Sequence, residues 1–219
     1  ALPFLVLISN EEEAAAALAA GARGLIPADW HVTLDKEFLE RLRRQNVALM
    51  PSLGPAEAYA ALNRGDVAVL DRSLVQQSAP RWLIDQTRAA LAARQGGKED
   101  KVPAAPAAIL RAARAAGVPL VVSSSAGRAL LFHGAALHRE LQLWVQAGMT
   151  PAETLVAATA GGARLLGRDR RVGLIQQGLD ANLLLVNGNP LEDIRATEQV
   201  AAVYFHGERI DRGDLLVEK

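Results

Sequence analysis

Short apolar runs alternate with capped amphipathic helices along the first fifty residues, and this alternation constrains the fold more than any other feature. Phe4 to Ile8 is a short apolar run, and Asn10 with Glu13 three positions later is the arrangement that opens an alanine-rich helix. Gly21 closes that helix. A second strand is predicted over Arg23 to Ile26. A helix from about Asp35 to Gln45 carries Phe38, Leu39 and Leu42 on one face, and Val47 to Met50 gives a third strand. Strands and helices in strict alternation predict parallel strands joined by right-handed crossovers, hence an α/β sheet or barrel.

Between Pro55 and Pro103 the pattern loosens into an elaborated loop region, with two helices around Asp66 to Asp71 and a polar loop over Gln95 to Lys101. Order returns with a helix from about Ala104 to Ala116, a glycine stop at Gly117, and a strand over Val118 to Val122 running into Ser123, Ser124 and Ser125. A helix is predicted near Leu137 to Ala147. Thr150, Pro151 and Glu153 then spell N-cap, first-turn proline and capping-box glutamate, and Gly161-Gly162 predicts a break between two helices. From Gly173 the character changes: Leu183 to Val186 and Val200 to Phe205 are strands, the second turning at His206 and Gly207.

Composition narrows the function classes. Half of the 219 residues are apolar, and 24 basic residues balance 24 acidic ones, as in a soluble globular protein. With neither sign forming a long block, nothing favours a nucleic acid or an anionic membrane as partner. The absence of cysteine removes disulfides, thiolate zinc sites and cysteine nucleophiles, and leaves the compartment open. Ala1 to Ile8 lacks the basic lead of a signal peptide, and no stretch is long and apolar enough to span a bilayer.

A family resemblance rests on several short motifs in one order. Phe132-His133-Gly134, Leu137-His138-Arg139-Glu140-Leu141, Ala147-Gly148-Met149-Thr150-Pro151 and Ala157-Ala158-Thr159 resemble the end of the barrel in imidazolonepropionase-like members of the amidohydrolase superfamily. Gly178-Leu179-Asp180-Ala181-Asn182-Leu183 and Gly188-Asn189-Pro190-Leu191-Glu192-Asp193-Ile194 resemble that family's return into its β-sandwich. The resemblance implies the C-terminal half of a TIM-like (β/α)8 barrel, strands five to eight, with a small β-sandwich appendage. Residues 1–170 would be the barrel half and residues 171–219 part of a composite sandwich. Such a half barrel exposes strand edges, so an upstream segment, a partner chain or self-association is expected to complete it.

The resemblance also implies a chemistry: hydrolysis of C–N bonds by one or two divalent metals, whose bound water is acidified toward neutrality. Early ligands in the family would lie upstream of Ala1. Of the later ones, the aspartate ending strand eight falls at Ser125, and the histidines ending strands six and five fall at or beside Pro27 and Leu7. None of these three can hold a metal as its counterpart does, so no metal ligand is assigned and no cofactor is expected.

The remaining polar groups near the implied mouth are Asp29, His31, Ser123, Ser124, His133 and His138. His133 and His138 lie five apart, off a common helical face, which favours ligand-contacting or helix-start roles over chelation. No partnered base or G-x-S-x-G elbow surrounds the serines, which predicts hydrogen bonding to backbone. Arg41, Arg43 and Arg44 predict a solvated helix end, and Trp30, Trp82 and Trp144 core or interface anchors. Three functional readings stand. The chain is a degenerate, non-catalytic family relative with a binding or structural role; or an active hydrolase using atypical or externally supplied ligands, with zinc or another divalent metal; or an assembly component that completes a barrel with another chain.

Overall fold

The computed structural model describes residues 3–28, 31–93 and 103–213. Strand β1 (Leu5–Ile8), helix α1 (Glu11–Ala19), β2 (Gly24–Pro27), α2 (Lys36–Arg44) and β3 (Ala48–Leu49) follow the predicted order. Helix α1 begins where the sequence places a cap, and α2 is capped by the residue that opens its predicted range. The Asn10 side chain accepts from the Glu13 N–H at 2.8 Å, and Asp35 accepts from the Phe38 N–H at 2.7 Å. The three strands pair in parallel in the order β1-β2-β3.

The run 118–122 was expected to be a full strand, but it makes a single parallel bridge, Leu120 to Leu49. The Leu49 N–H donates to the Pro119 carbonyl at 2.9 Å, and the Val121 N–H to the Leu49 carbonyl at 3.1 Å. β3 is two residues long and Pro119 has no N–H to donate, so the ladder cannot lengthen. Leu120 nonetheless occupies the fourth strand position.

The strands separate two apolar faces. Ile8, Leu25, Leu49 and Leu120 pack outward on α1, α2 and helix α6 (Ala105–Ala115), through Leu18, Phe38, Leu42, Ile109 and Ala113. Leu5, Ile26, Ala48, Met50 and Val121 face the other way, around Leu165. The side-chain alternation of each strand therefore faces a helical layer on one side and the interior of an unclosed barrel on the other.

The stretch predicted as two helices in a loop folds as three: α3 (Gly54–Arg64), α4 (Ser73–Ser78) and α5 (Arg81–Ala92), with a 3-10 turn over Ala68–Asp71. A six-residue helix such as α4 is too short to display a period in sequence. These pack around Leu70, Leu74, Val75 and Ile84, together with Leu130, Leu131 and Phe132. The polar loop predicted over Gln95 to Lys101 lies outside the described residues.

Helix α7 spans Ala135–Gln146 and α8 spans Pro151–Val156, opened by the full Thr150–Glu153 capping box. The break expected at Gly161-Gly162 is absent: a π-helical turn over Ala157–Gly161 carries the helix into α9, Gly162–Leu165. Gly161 serves close approach, because a Cβ there would lie 3.2 Å from the Leu120 carbonyl. The end of α9 delivers Leu165 onto the inner face of the sheet.

A second sheet, β4 (Leu183–Val186), β5 (Val200–Phe205) and β6 (Glu208–Ile210), is antiparallel in that order. His206 and Gly207, at φ 51° and 84°, make the two-residue turn between β5 and β6. The sequence announced the turn but not β6, whose Glu208-Arg209-Ile210 carries little apolar signal. Trp144 is fully buried, whereas Trp82 is exposed and anchors no core; Trp30 lies outside the described residues.

Candidate functional site at the strand ends

In barrels of this kind the chemistry sits at the C-terminal ends of the strands. There, Leu7 pairs with Ile26, and Ile8 with Pro27. Strand alternation thus turns Ile26 to the face that Leu7 occupies, with Pro27 one residue further along. Leu7, Ile26, Pro27, Ser52, Ser125 and Arg128 border one small pocket of about 20 Å³, room for roughly one water. The structure therefore brings Leu7, Pro27 and Ser125 together.

The serines bind backbone. The Ser52 hydroxyl donates to the Ser123 carbonyl at 2.9 Å, and the Ala126 N–H donates to Ser124 Oγ at 3.4 Å. Ser125 adopts a left-handed backbone at φ 49°, uncommon for a residue other than glycine. Among the described residues, no three His, Asp or Glu side chains lie close enough together to hold a metal ion. Among the described residues, those bordering the strand-end pocket supply no carboxylate or imidazole of the kind an amidohydrolase metal site uses.

The other candidates scatter. Asp29 lies outside the described residues, and His31 is exposed beyond β2. His133 borders a separate pocket of about 510 Å³, which Arg128 also borders. His138 is half-buried on α7 and is absent from the mouth pocket. Burial lowers its pKa; nearby Glu198 opposes this, and Arg72 and Arg212 reinforce it.

Sequence reasoning passed over Glu140, the one buried carboxylate among the described residues. Its carboxyl accepts from the Leu53 N–H at 2.7 Å, the Gly54 N–H at 2.8 Å and Trp144 Nε1–H at 2.9 Å. Leu53 supplies no side-chain cap to α3, so Glu140 takes that part from another helix. Burial outweighs these donors and pushes its pKa up to about 7. A legible signal existed: a charge at position 140 between Leu137 and Leu141 on an otherwise apolar stripe. Next to it, Arg139 pairs with Glu57 and Arg72 with Glu198, and Gln142 Oε1 accepts from both guanidinium groups.

Four parallel strand positions, helices on their outer face, and strand ends gathered at one pocket are the arrangement of half of a (β/α)8 barrel. A sequence model of the amidohydrolase family matches residues 78–210, well over half of the chain, and the protein belongs to that family. No curated protein sequence matches it significantly. Among solved structures, a Xaa-Pro dipeptidase with methionine bound in its active site superposes with a TM-score of 0.67 at 22% identity, over 94% of this chain and 44% of that one. Molinate hydrolase gives 0.67 at 19%, over 98% and 44%, and the A. niger ochratoxinase 0.67 at 21%, over 95% and 41%. At such identities the likeness is one of fold, and the chain spans less than half the length of these relatives.

Proposed function

We propose that this chain is a degenerate amidohydrolase domain, which keeps the packing of the barrel and has lost metal-dependent C–N bond hydrolysis in favour of a binding or structural role. The observation that carries this reading is the mouth pocket. Leu7, Ile26, Pro27, Ser52 and Ser125 offer no carboxylate or imidazole. Arg128 adds a guanidinium that repels a divalent cation, and no described residue pairs with it. Without a ligand set there is no route to a metal-bound hydroxide, so no hydrolytic step is assigned. In this reading residues 1–170 are the barrel half and residues 171–219 the sandwich segment.

A second reading, assembly, is favoured by exposed apolar groups. Leu7, Leu174 and Ile175 are 55%, 55% and 91% exposed, and β1 is the edge of its sheet. An upstream segment, a partner chain or a second copy would cover them.

Metal analysis of the purified protein, with hydrolysis of a panel of N-acyl amino acids and dipeptides, tests the first reading. It expects neither bound metal nor turnover. Stoichiometric zinc with amidase activity lost on chelation would overturn it and favour the hydrolase with atypical ligands. Light scattering and native mass measurement test assembly: a stable complex supports it, and a monodisperse lone chain removes it.

A further inference from the structure

Three pockets large enough for a small molecule lie outside the mouth, and one of them, about 580 Å³ beside α4 and β5, offers as a cation only Arg195, already paired with Asp193. A second, about 450 Å³ beside α7, is rich in arginine, but each guanidinium is already matched: Arg64 with Asp66, Arg72 with Glu198, Arg139 with Glu57 and Arg195 with Asp193. It has no charge to offer. The third, about 510 Å³, differs in kind. Leu62, Leu83, Ala90, Leu91 and Phe132 make most of its wall, and Arg128 and His133 stand along it. Among the described residues neither Arg128 nor His133 has a side-chain partner.

The strand-eight loop shapes that wall. The Gly127 N–H donates to the Leu131 carbonyl at 2.9 Å, and the Leu131 N–H returns to the Arg128 carbonyl at 3.0 Å. A Cβ at Gly127 would lie 3.3 Å from His133 Nε2, so glycine lets the imidazole close on the loop. Leu130 sits at φ 63° with its side chain buried, which anchors the tight turn carrying Arg128.

We propose that this pocket binds a small apolar carboxylate, its carboxylate held by Arg128 and His133 and its hydrocarbon body lying against α3 and α5. An apolar cleft with few convergent polar groups is the ordinary form of a ligand site. An uncommitted guanidinium, with an imidazole N–H beside it, selects a carboxylate over an alcohol or an amine. The assignment shares Arg128 with the border of the mouth pocket and uses none of Leu7, Pro27 or Ser125, so it does not rest on the proposed loss of hydrolysis.

The test is calorimetric titration of the full protein with hexanoate, 1-hexanol and hexylamine. Saturable hexanoate binding is expected, about tenfold tighter than 1-hexanol, with no hexylamine binding. Arg128→Gln should weaken hexanoate about tenfold and leave 1-hexanol unchanged. Ala90 is exposed on α5, so Ala90→Phe can fill the pocket without disturbing the core, and it should abolish both. Circular dichroism of each variant shows whether the fold persists. Equal binding of the acid and the alcohol, hexanoate binding indifferent to both substitutions, or no hexanoate binding by the folded protein would each overturn the proposal.

Discussion

Glu140→Gln isolates the balance between burial and hydrogen bonding at the buried carboxylate. The side chain lies between the first turn of α3 and Trp144, with three N–H donors on its two oxygens. Burial raises its pKa from the ordinary value of 4.5 to about 7. Below about pH 4.5 the carboxyl is protonated in both folded and unfolded chains, and glutamine, its near isostere, should match it within about 1 kcal/mol. As pH rises from 4.5 to 7, the unfolded chain ionises first and the folded protein loses stability. A shift of that size corresponds to ~3 kcal/mol. Glutamine does not titrate, so the variant should gain on the wild type across this window and stay ahead above pH 7.

Urea unfolding followed by far-ultraviolet circular dichroism at pH 4.5, 6 and 8 measures the difference directly, because all other groups cancel between the two proteins. If the gap is flat, or moves toward the wild type as pH rises, the three donors outweigh burial and the reasoning fails. Glu140→Ala serves as a control. It strands three N–H groups at every pH and should cost ~3 kcal/mol or more throughout.

Four further substitutions test the packing and capping. Gly173 has φ 101°, and a Cβ on it would stand 2.6 Å from that of Ala163, so Gly173→Ala should cost ~2 to 3 kcal/mol. Gly178, with φ 89° and nothing near, should lose only ~1 kcal/mol on the same change; equal costs in thermal unfolding would contradict the clash. Thr150→Ala removes the cap that binds the Glu153 N–H at 3.2 Å and should cost ~1 kcal/mol in urea unfolding. Leu165→Ala opens the inner face beneath Ala48, Met50 and Val121 and should cost ~2 to 5 kcal/mol; a cost under 1 would show that this face is not packed as described.

What could be read in advance follows from how local each cause is. Asn10 and Thr150 announce helices because a cap is settled within four residues, and both accept the hydrogen bond the sequence implies. The Val118 to Val122 strand was over-read because Pro119 within the run has no N–H to donate, and because its pairing depends on the length of β3, which no window around the run contains. The π turn at Ala157–Gly161 escaped for the same reason: Gly161 answers to the Leu120 carbonyl, distant in sequence. The site divides likewise. Leu7, Pro27 and Ser125 were singled out from the sequence and border one pocket, whereas the hydrogen-bond partners of Glu140 appear only after folding.

The two ends of the half barrel make different demands on sequence. Ile8, Leu25, Leu49 and Leu120 are held by the helices on their outer side, and Leu165 closes the inner face, so side-chain volume there is fixed by neighbours on every side. At the mouth, Leu7 is over half exposed and the pocket holds about one water, so the packing that stabilises the fold exerts little hold on what stands there. Side chains at the strand ends of such a barrel can therefore change with little loss of stability. Packing alone would keep such a chain folded. An uncommitted arginine and imidazole beside an apolar pocket are then the feature that the proposed ligand would answer.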